Sequence, residues 1–124
     1  MHPDLKIGEL KILCVDDEVA ILRALRREFL ELPNPVTFIS DDAEAFTLVG
    51  KEEFALVISD YLMPNHLGPD IFEELTKHFP KTRKLLLTGR SDHNGKSRSE
   101  YDHLYHSYLE KPWKKRELIT MIQG

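Results

Sequence analysis

Several short apolar runs in this chain of 124 residues end on side chains able to do chemistry. Leu10–Val15 leads to Asp16 and Asp17, and Ala55–Ile58 leads through Ser59 to Asp60. Lys84–Leu87 ends in Thr88, and Ser107–Leu109 leads through Glu110 to Lys111. If the runs are parallel strands, three acids, a hydroxyl and an ammonium converge on one edge of a sheet. Two carboxylates ~4 Å apart repel by roughly 4 kcal/mol at an effective dielectric of 20. Three of them call for bound protons or a cation. A hard divalent ion with oxygen ligands meets that need, and Mg²⁺ (or Mn²⁺) suits a site that keeps several waters. With its charge so balanced, Asp60 is equipped to attack phosphorus. The cation, Lys111 and Thr88 could each take one oxygen of the transferring group. These residue types match phosphoryl transfer to an aspartate.

The elements that would position them alternate. A further apolar run, Val36–Ile39, makes five, each short, rich in branched residues and bounded by turn signals, as buried strands are. Between them, Val19 to Leu32 carries apolar residues at 21, 22, 25, 29 and 32, one face of a helix that Pro33 and Pro35 end. Asp41 or Asp42 is placed to cap a second helix running to Val49, with Gly50 closing it. Pro69 fits the first turn of a third helix that buries Ile71, Phe72 and Leu75. A last helix over Lys114–Ile122 turns Leu118, Ile119 and Ile122 inward. Residues 91–104, SDHNGKSRSEYDHL, have the length of a helix but almost no apolar stripe, so a short or irregular helix is expected there. Strand alternating with helix predicts an α/β domain with a parallel sheet covered on both faces and ligands at the carboxyl ends of its strands.

Composition narrows the function. A net charge of −4 argues against sequence-independent nucleic-acid binding by this domain. No apolar run approaches the ~20 residues of a membrane span, and the segment MHPDLKIGELK has no signal-peptide core. The one cysteine, Cys14, sits among apolar neighbours and reads as a buried, reduced thiol. A cytoplasmic location is expected, and one domain spanning residues 1–124, since no linker, repeat or low-complexity tract divides the chain.

ILCVDDE, VISDYLMPNHLG, LLLTG and YLEKPW, in that order and at that spacing, resemble a response-regulator receiver domain of two-component signalling. The resemblance implies a flavodoxin-like, doubly wound, five-stranded parallel sheet of order 2-1-3-4-5 with helices on both faces. It implies that Asp60 is the phosphoacceptor, that Asp17 is a direct metal ligand and that Asp16 holds metal-bound water. The backbone carbonyl of Leu62 would be a further ligand. Thr88 and Lys111 would bind the phosphoryl group, and Tyr108 would be the switch aromatic coupled to Thr88. A cis Lys111–Pro112 bond is also implied. The partners would be a sensor histidine kinase or a phosphotransfer protein, and a downstream output domain or protein.

Plainer readings stand beside these. Asp17 is also placed to cap the first helix, Thr88 could be a strand-end hydroxyl, Lys111 a loop lysine and Tyr108 half-buried core. Trp113 reads as packing, and Lys114-Lys115-Arg116 as solvated surface or a partner contact. The six histidines (2, 66, 78, 93, 103, 106) form no metal-ligand spacing. Two departures from the family pattern concern the loops. Leu67 and Pro69 flank Gly68 and alter the stiffness of the loop after Asp60 more than its chemistry, while Leu62 and Arg90 occupy positions that in this family tune phosphate lifetime. An aspartyl-phosphate phosphatase would need a second Asp where Leu62 stands. A flavodoxin-like cofactor binder would need a hydroxyl-rich loop after strand one, and a pseudo-receiver would not need so complete an acidic site.

Overall fold

The computed structural model describes residues 11–89 and 107–123. Its strands are β1 (Ile12–Val15), β2 (Val36–Ile39), β3 (Leu56–Asp60), β4 (Arg83–Thr88) and β5 (Ser107–Glu110). They form one parallel sheet in the order β2-β1-β3-β4-β5. β1 and β3 are buried along their whole length, as central strands covered on both faces must be, and β2 is partly exposed at its edge. The helices are α1 (Val19–Phe29), α2 (Asp42–Leu48), α3 (Gly68–His78) and a C-terminal helix (Lys115–Gln123). The expected helix over 91–104 lies outside the described residues, as do His2, Arg90, His93, His103 and His106.

Alternation along the strands divides the core in two. On one face Leu13, Val15, Val57 and Leu86 meet Ala45, Ile71, Phe72 and Leu75 of α2 and α3. On the other, Cys14, Ile58, Leu85, Leu87 and Leu109 meet Leu22, Leu25 and Phe29 of α1 and Leu118 of the C-terminal helix. Cys14 is fully buried and free, and burial pushes its thiol far above the ordinary range. In the C-terminal helix only Leu118 is fully buried; Ile119 and Ile122 are half-buried, because that helix covers the side of the sheet near its β5 edge.

The helix ends are tied in four different ways. Asp41 caps α2, its side chain accepting from the Ala43 N–H at 3.0 Å. Asp70 accepts from the Leu67 N–H at 2.9 Å, one turn back across the start of α3, where Pro69 sits as expected. The cap position of α1 is Glu18, and the side chain that reaches its N–H, at 2.9 Å, is Asp16. Asp17 therefore does not cap α1. At the far end of the C-terminal helix, the Arg83 guanidinium donates to the carbonyls of Met121 and of Ile122, the latter at 2.8 Å. A cation there satisfies carbonyls that the helix leaves open and complements its dipole.

Candidate functional site

Parallel register brings the strand ends level. Val15 pairs with Ser59, so Asp16 and Asp60 follow side by side. Asp60 pairs with Leu87 and Thr88 with Glu110, and the Lys111 N–H donates to the Thr88 carbonyl at 2.8 Å. The Lys111–Pro112 bond is cis. Carboxylate oxygens of Asp16, Asp17 and Asp60 all lie within 4.8 Å of one another, Asp16 and Asp60 buried and Asp17 exposed. The Lys111 ammonium donates to Asp16 Oδ2 at 2.9 Å and to Asp60 Oδ1 at 2.8 Å, and Glu18 lies 3.9 Å away.

One ammonium does not balance this much negative charge. Burial pushes the Asp60 carboxyl up to about 6; the Lys111 hydrogen bond opposes this and the neighbouring Asp16 charge adds to it. Burial also raises Asp16, against the pull of the Glu18 N–H and Lys111. Lys111 moves the other way: burial disfavours its charge, yet its bonds to Asp60 and Asp16 win and hold it above the usual lysine value. Asp60 Oδ1 is occupied twice, by Lys111 and by the Tyr61 N–H at 2.9 Å. Among the described residues, Oδ2 accepts no hydrogen bond.

The donors gathered here are all hard oxygens, without histidine or thiolate, and they carry surplus negative charge. That set fits Mg²⁺ or Mn²⁺ better than zinc. Leu62 stands two residues past Asp60 at the base of a tight turn closed by a bridge to Leu67, its side chain 57% exposed.

Thr88 is buried, and among the described residues its hydroxyl makes one long bond, 3.2 Å, to the Gly89 carbonyl. Tyr108 is half-buried against the α2–α3 side of the core and pairs with Leu86, two residues before Thr88. Thr88 and Tyr108 thus share one face of the sheet. Of the residues expected at the site, Asp16, Asp17, Asp60 and Lys111 are brought together, while Thr88 ends the strand beside Asp60 and Lys111.

Three contacts were not evident from the sequence. Trp113 is half-buried against the α1 side of the core, and its indole N–H donates to Glu28 of α1 at 2.9 Å. Beside it a cleft of about 560 Å³, lined by Ile21, Arg27, Glu28, Lys111 and Trp113 among others, opens between α1 and the turn after β5. Asp42, one residue past the α2 cap, turns away from the helix backbone and binds the loop after β3. Lys114, Lys115 and Arg116 are exposed, with Lys115 3.6 Å from Glu31. Of the described histidines, His66 stacks on Phe46 and His78 contacts Glu74 at 3.2 Å, and neither belongs to the acidic cluster.

Comparison with known proteins agrees with this architecture. Residues 12–123 match the family model described as the response regulator receiver domain. A probable transcriptional regulator, ycf27, of Cyanophora paradoxa is 36% identical over 120 residues, covering 97% of this chain and 49% of that protein. The chain spans about half the length, or less, of the curated relatives it matches. The solved signal receiver domain of an HD domain-containing protein from Pseudomonas fluorescens Pf-5 superposes with a TM-score of 0.81 at 30% identity, covering 93% of this chain and 92% of that one. The fold also matches the receiver domain of the sensor histidine kinase PA1611 from Pseudomonas aeruginosa PAO1, solved with magnesium in its active-site cleft (TM-score 0.79, 20% identity, 93% and 95% covered). No helix among the described residues is long and apolar enough to cross a membrane. With its strand order, its acidic strand ends and a family match along almost all of its length, this chain belongs to the response-regulator receiver domain family.

Proposed function

We propose that residues 1–124 form one receiver domain, a phosphorylation switch whose phosphoacceptor is Asp60. The observation that carries this is the Lys111 ammonium shared between Asp60 and Asp16 at the edge of the sheet. Asp60 Oδ1 is held by Lys111 and the Tyr61 N–H, which leaves Oδ2 as the attacking atom. The donor is a phosphohistidine of a sensor histidine kinase or phosphotransfer protein. Oδ2 forms a bond to phosphorus as the P–N bond breaks, and the departing imidazole nitrogen keeps the electron pair and takes up a proton. Hydrolysis reverses the acyl phosphate: water attacks phosphorus and Asp60 leaves as carboxylate. The domain thus promotes its own phosphorylation and dephosphorylation without turning over a separate substrate.

Asp16, Asp17, Asp60 and the Leu62 carbonyl would hold Mg²⁺ or Mn²⁺, which supplies charge neutralisation and draws electron density from the phosphoryl oxygens. Lys111 and the Thr88 hydroxyl bind the remaining oxygens. Giving up its long bond to Gly89, Thr88 moves toward the phosphoryl group, and Tyr108 on the same face turns inward to alter the β4–β5 surface. That surface addresses an output domain or protein. The partner's histidine approaches over the α1 side, where the cleft beside Trp113 adjoins Lys111.

Intact mass after incubation with acetyl phosphate and Mg²⁺ tests the assignment. One added phosphate is expected, labile to hydroxylamine, absent with a chelator and absent in Asp60→Asn. An adduct that survives in Asp60→Asn would place the acceptor elsewhere.

A further inference from the structure

Asp42 is 2% exposed, yet it is the centre of a small polar cluster outside the acidic site. Its Oδ2 accepts the backbone N–H of Asn65 at 2.8 Å and of His66 at 3.1 Å, and its Oδ1 accepts the Asn65 side-chain amide at 2.9 Å. One turn along α2, Phe46 stacks on the His66 ring with centroids 4.6 Å apart and planes 17° from parallel. Burial alone would raise the Asp42 carboxyl, but these hydrogen bonds outweigh it and keep it below the usual carboxylate range. A buried, ionised carboxylate is a poor way to gain stability, since apolar groups of the same volume often serve as well or better. What it does supply is a fixed position for whatever its three donors belong to.

Asn65 and His66 are the tip of the turn whose base is the bridge between Leu62 and Leu67. Just past the base, the Gly68 N–H donates to the Tyr61 carbonyl at 2.7 Å, tying the turn to the residue after Asp60. The turn is therefore pinned at both ends: at its base by β3 and at its tip by α2.

We infer that Asp42 is a positioning residue for the divalent cation, fixing the Leu62 carbonyl by gripping the far end of the turn that carries it. The inference rests on the proposed metal site and adds to it a residue on a different helix. Mg²⁺ demands near-octahedral oxygens at short distance, so a ligand on a loosely held turn must be ordered when the ion binds. Residues that orient ligands without touching the metal commonly contribute 10–100-fold in affinity, and an effect of about tenfold is expected here.

Calorimetric titration of Mg²⁺ tests this, with circular dichroism to establish folding. Asp42→Ala should weaken binding about tenfold. Asp42→Asn should recover most of it, because its carbonyl oxygen keeps both backbone bonds and the Asn65 amide can turn over to accept from the new amide. Asp41→Ala removes the α2 cap, lowers the melting temperature and should leave Mg²⁺ affinity unchanged. If Asp42→Ala does not fold, Asp42→Glu replaces it, its carboxylate displaced by one methylene, with the same weakening expected. Unchanged affinity in a folded Asp42→Ala overturns the inference while the metal site stands, and so does a loss in Asp41→Ala equal to that in Asp42→Ala. Absence of Mg²⁺ binding by the unaltered chain overturns the metal site and the inference together.

Discussion

Gly68 lies so close against the Asp60 backbone that a methyl group on its Cα would collide with the Asp60 carbonyl oxygen. The same methyl would stand 3.0 Å from Leu86 Cδ1, so neither side has room. The glycine is required by proximity: α3 starts where the chain crosses back over the strand that carries the acidic tip.

Gly68→Ala must therefore push α3 or β3 aside. The expected cost is about 1–3 kcal/mol of stability, the usual range for an overpacked core. Urea denaturation measures it, and a midpoint equal to that of the unaltered chain would contradict the close approach.

Asp60→Asn is expected to stabilise the protein in metal-free buffer. The Asp60 carboxyl goes from 3.8 to about 6 on folding, so the native state binds the extra proton between those values. Stability from this group is present below pH 4, declines as pH rises through 6 and stays low above it. The variant should exceed the unaltered chain by about 1–3 kcal/mol at pH 7–8, with the gap closing toward pH 4. Thermal melts at the two pH values would show it, and a gap independent of pH would refute it.

Added Mg²⁺ should reverse that ranking. An ion at 100 times its dissociation constant stabilises the native state by about 2.7 kcal/mol. The unaltered chain has the full carboxylate set and should gain more from the ion than Asp60→Asn does. Equal shifts in melting temperature would place the ion away from Asp60.

Lys111→Met removes the cation shared by Asp16 and Asp60. The ammonium is charged at neutral pH in either state, and its folded value is raised, so its stabilisation is present there and lost only in strong alkali. Loss of one partner from a largely buried set should cost about 1–3 kcal/mol at pH 7, less than a fully buried pair because the site opens to water. Asp60→Asn combined with Lys111→Met should restore much of that loss. A strictly additive double variant would mean the two side chains are not coupled.

Arg83→Met should fray the end of the C-terminal helix. Two carbonyls lose a charged donor, a loss of about 1.5–3 kcal/mol. Amide exchange at the last turn should accelerate, while exchange in β1 and β3 changes only with global stability.

Much of this was legible in the linear chain because period and parity are local. Val36–Ile39 has the same limits in sequence and structure, and the strand tips at Asp16, Thr88 and Lys111 follow from where apolar runs stop. Asp60 belongs to its strand rather than following it, a change of two residues in β3 that leaves its place at the tip unaltered. Asp41 and Asp42 show where locality ends. Adjacent and identical, they were equal candidates to cap α2, yet one caps it and the other crosses 23 residues to hold Asn65. Lys84 opens the fourth apolar run of the sequence, and Arg83 precedes it. Lys84 is in fact buried, its ammonium on the Thr82 carbonyl at 2.8 Å, and Arg83 finds carbonyls 38 and 39 residues away. Such pairings are set by tertiary geometry, and no short window of sequence contains both partners.

The sharing of Lys111 between Asp16 and Asp60 spans 95 and 51 residues of chain. During synthesis both acids are made well before the lysine that balances them. A chain emerging from the ribosome can pair β1 with β3 and bring the carboxylates together, but it has no ammonium between them until β5 docks beside β4. Such non-local strand pairing is among the slower steps of folding. The charge balance between Asp16 and Asp60 is thus completed only when the strand that delivers Lys111 is in place.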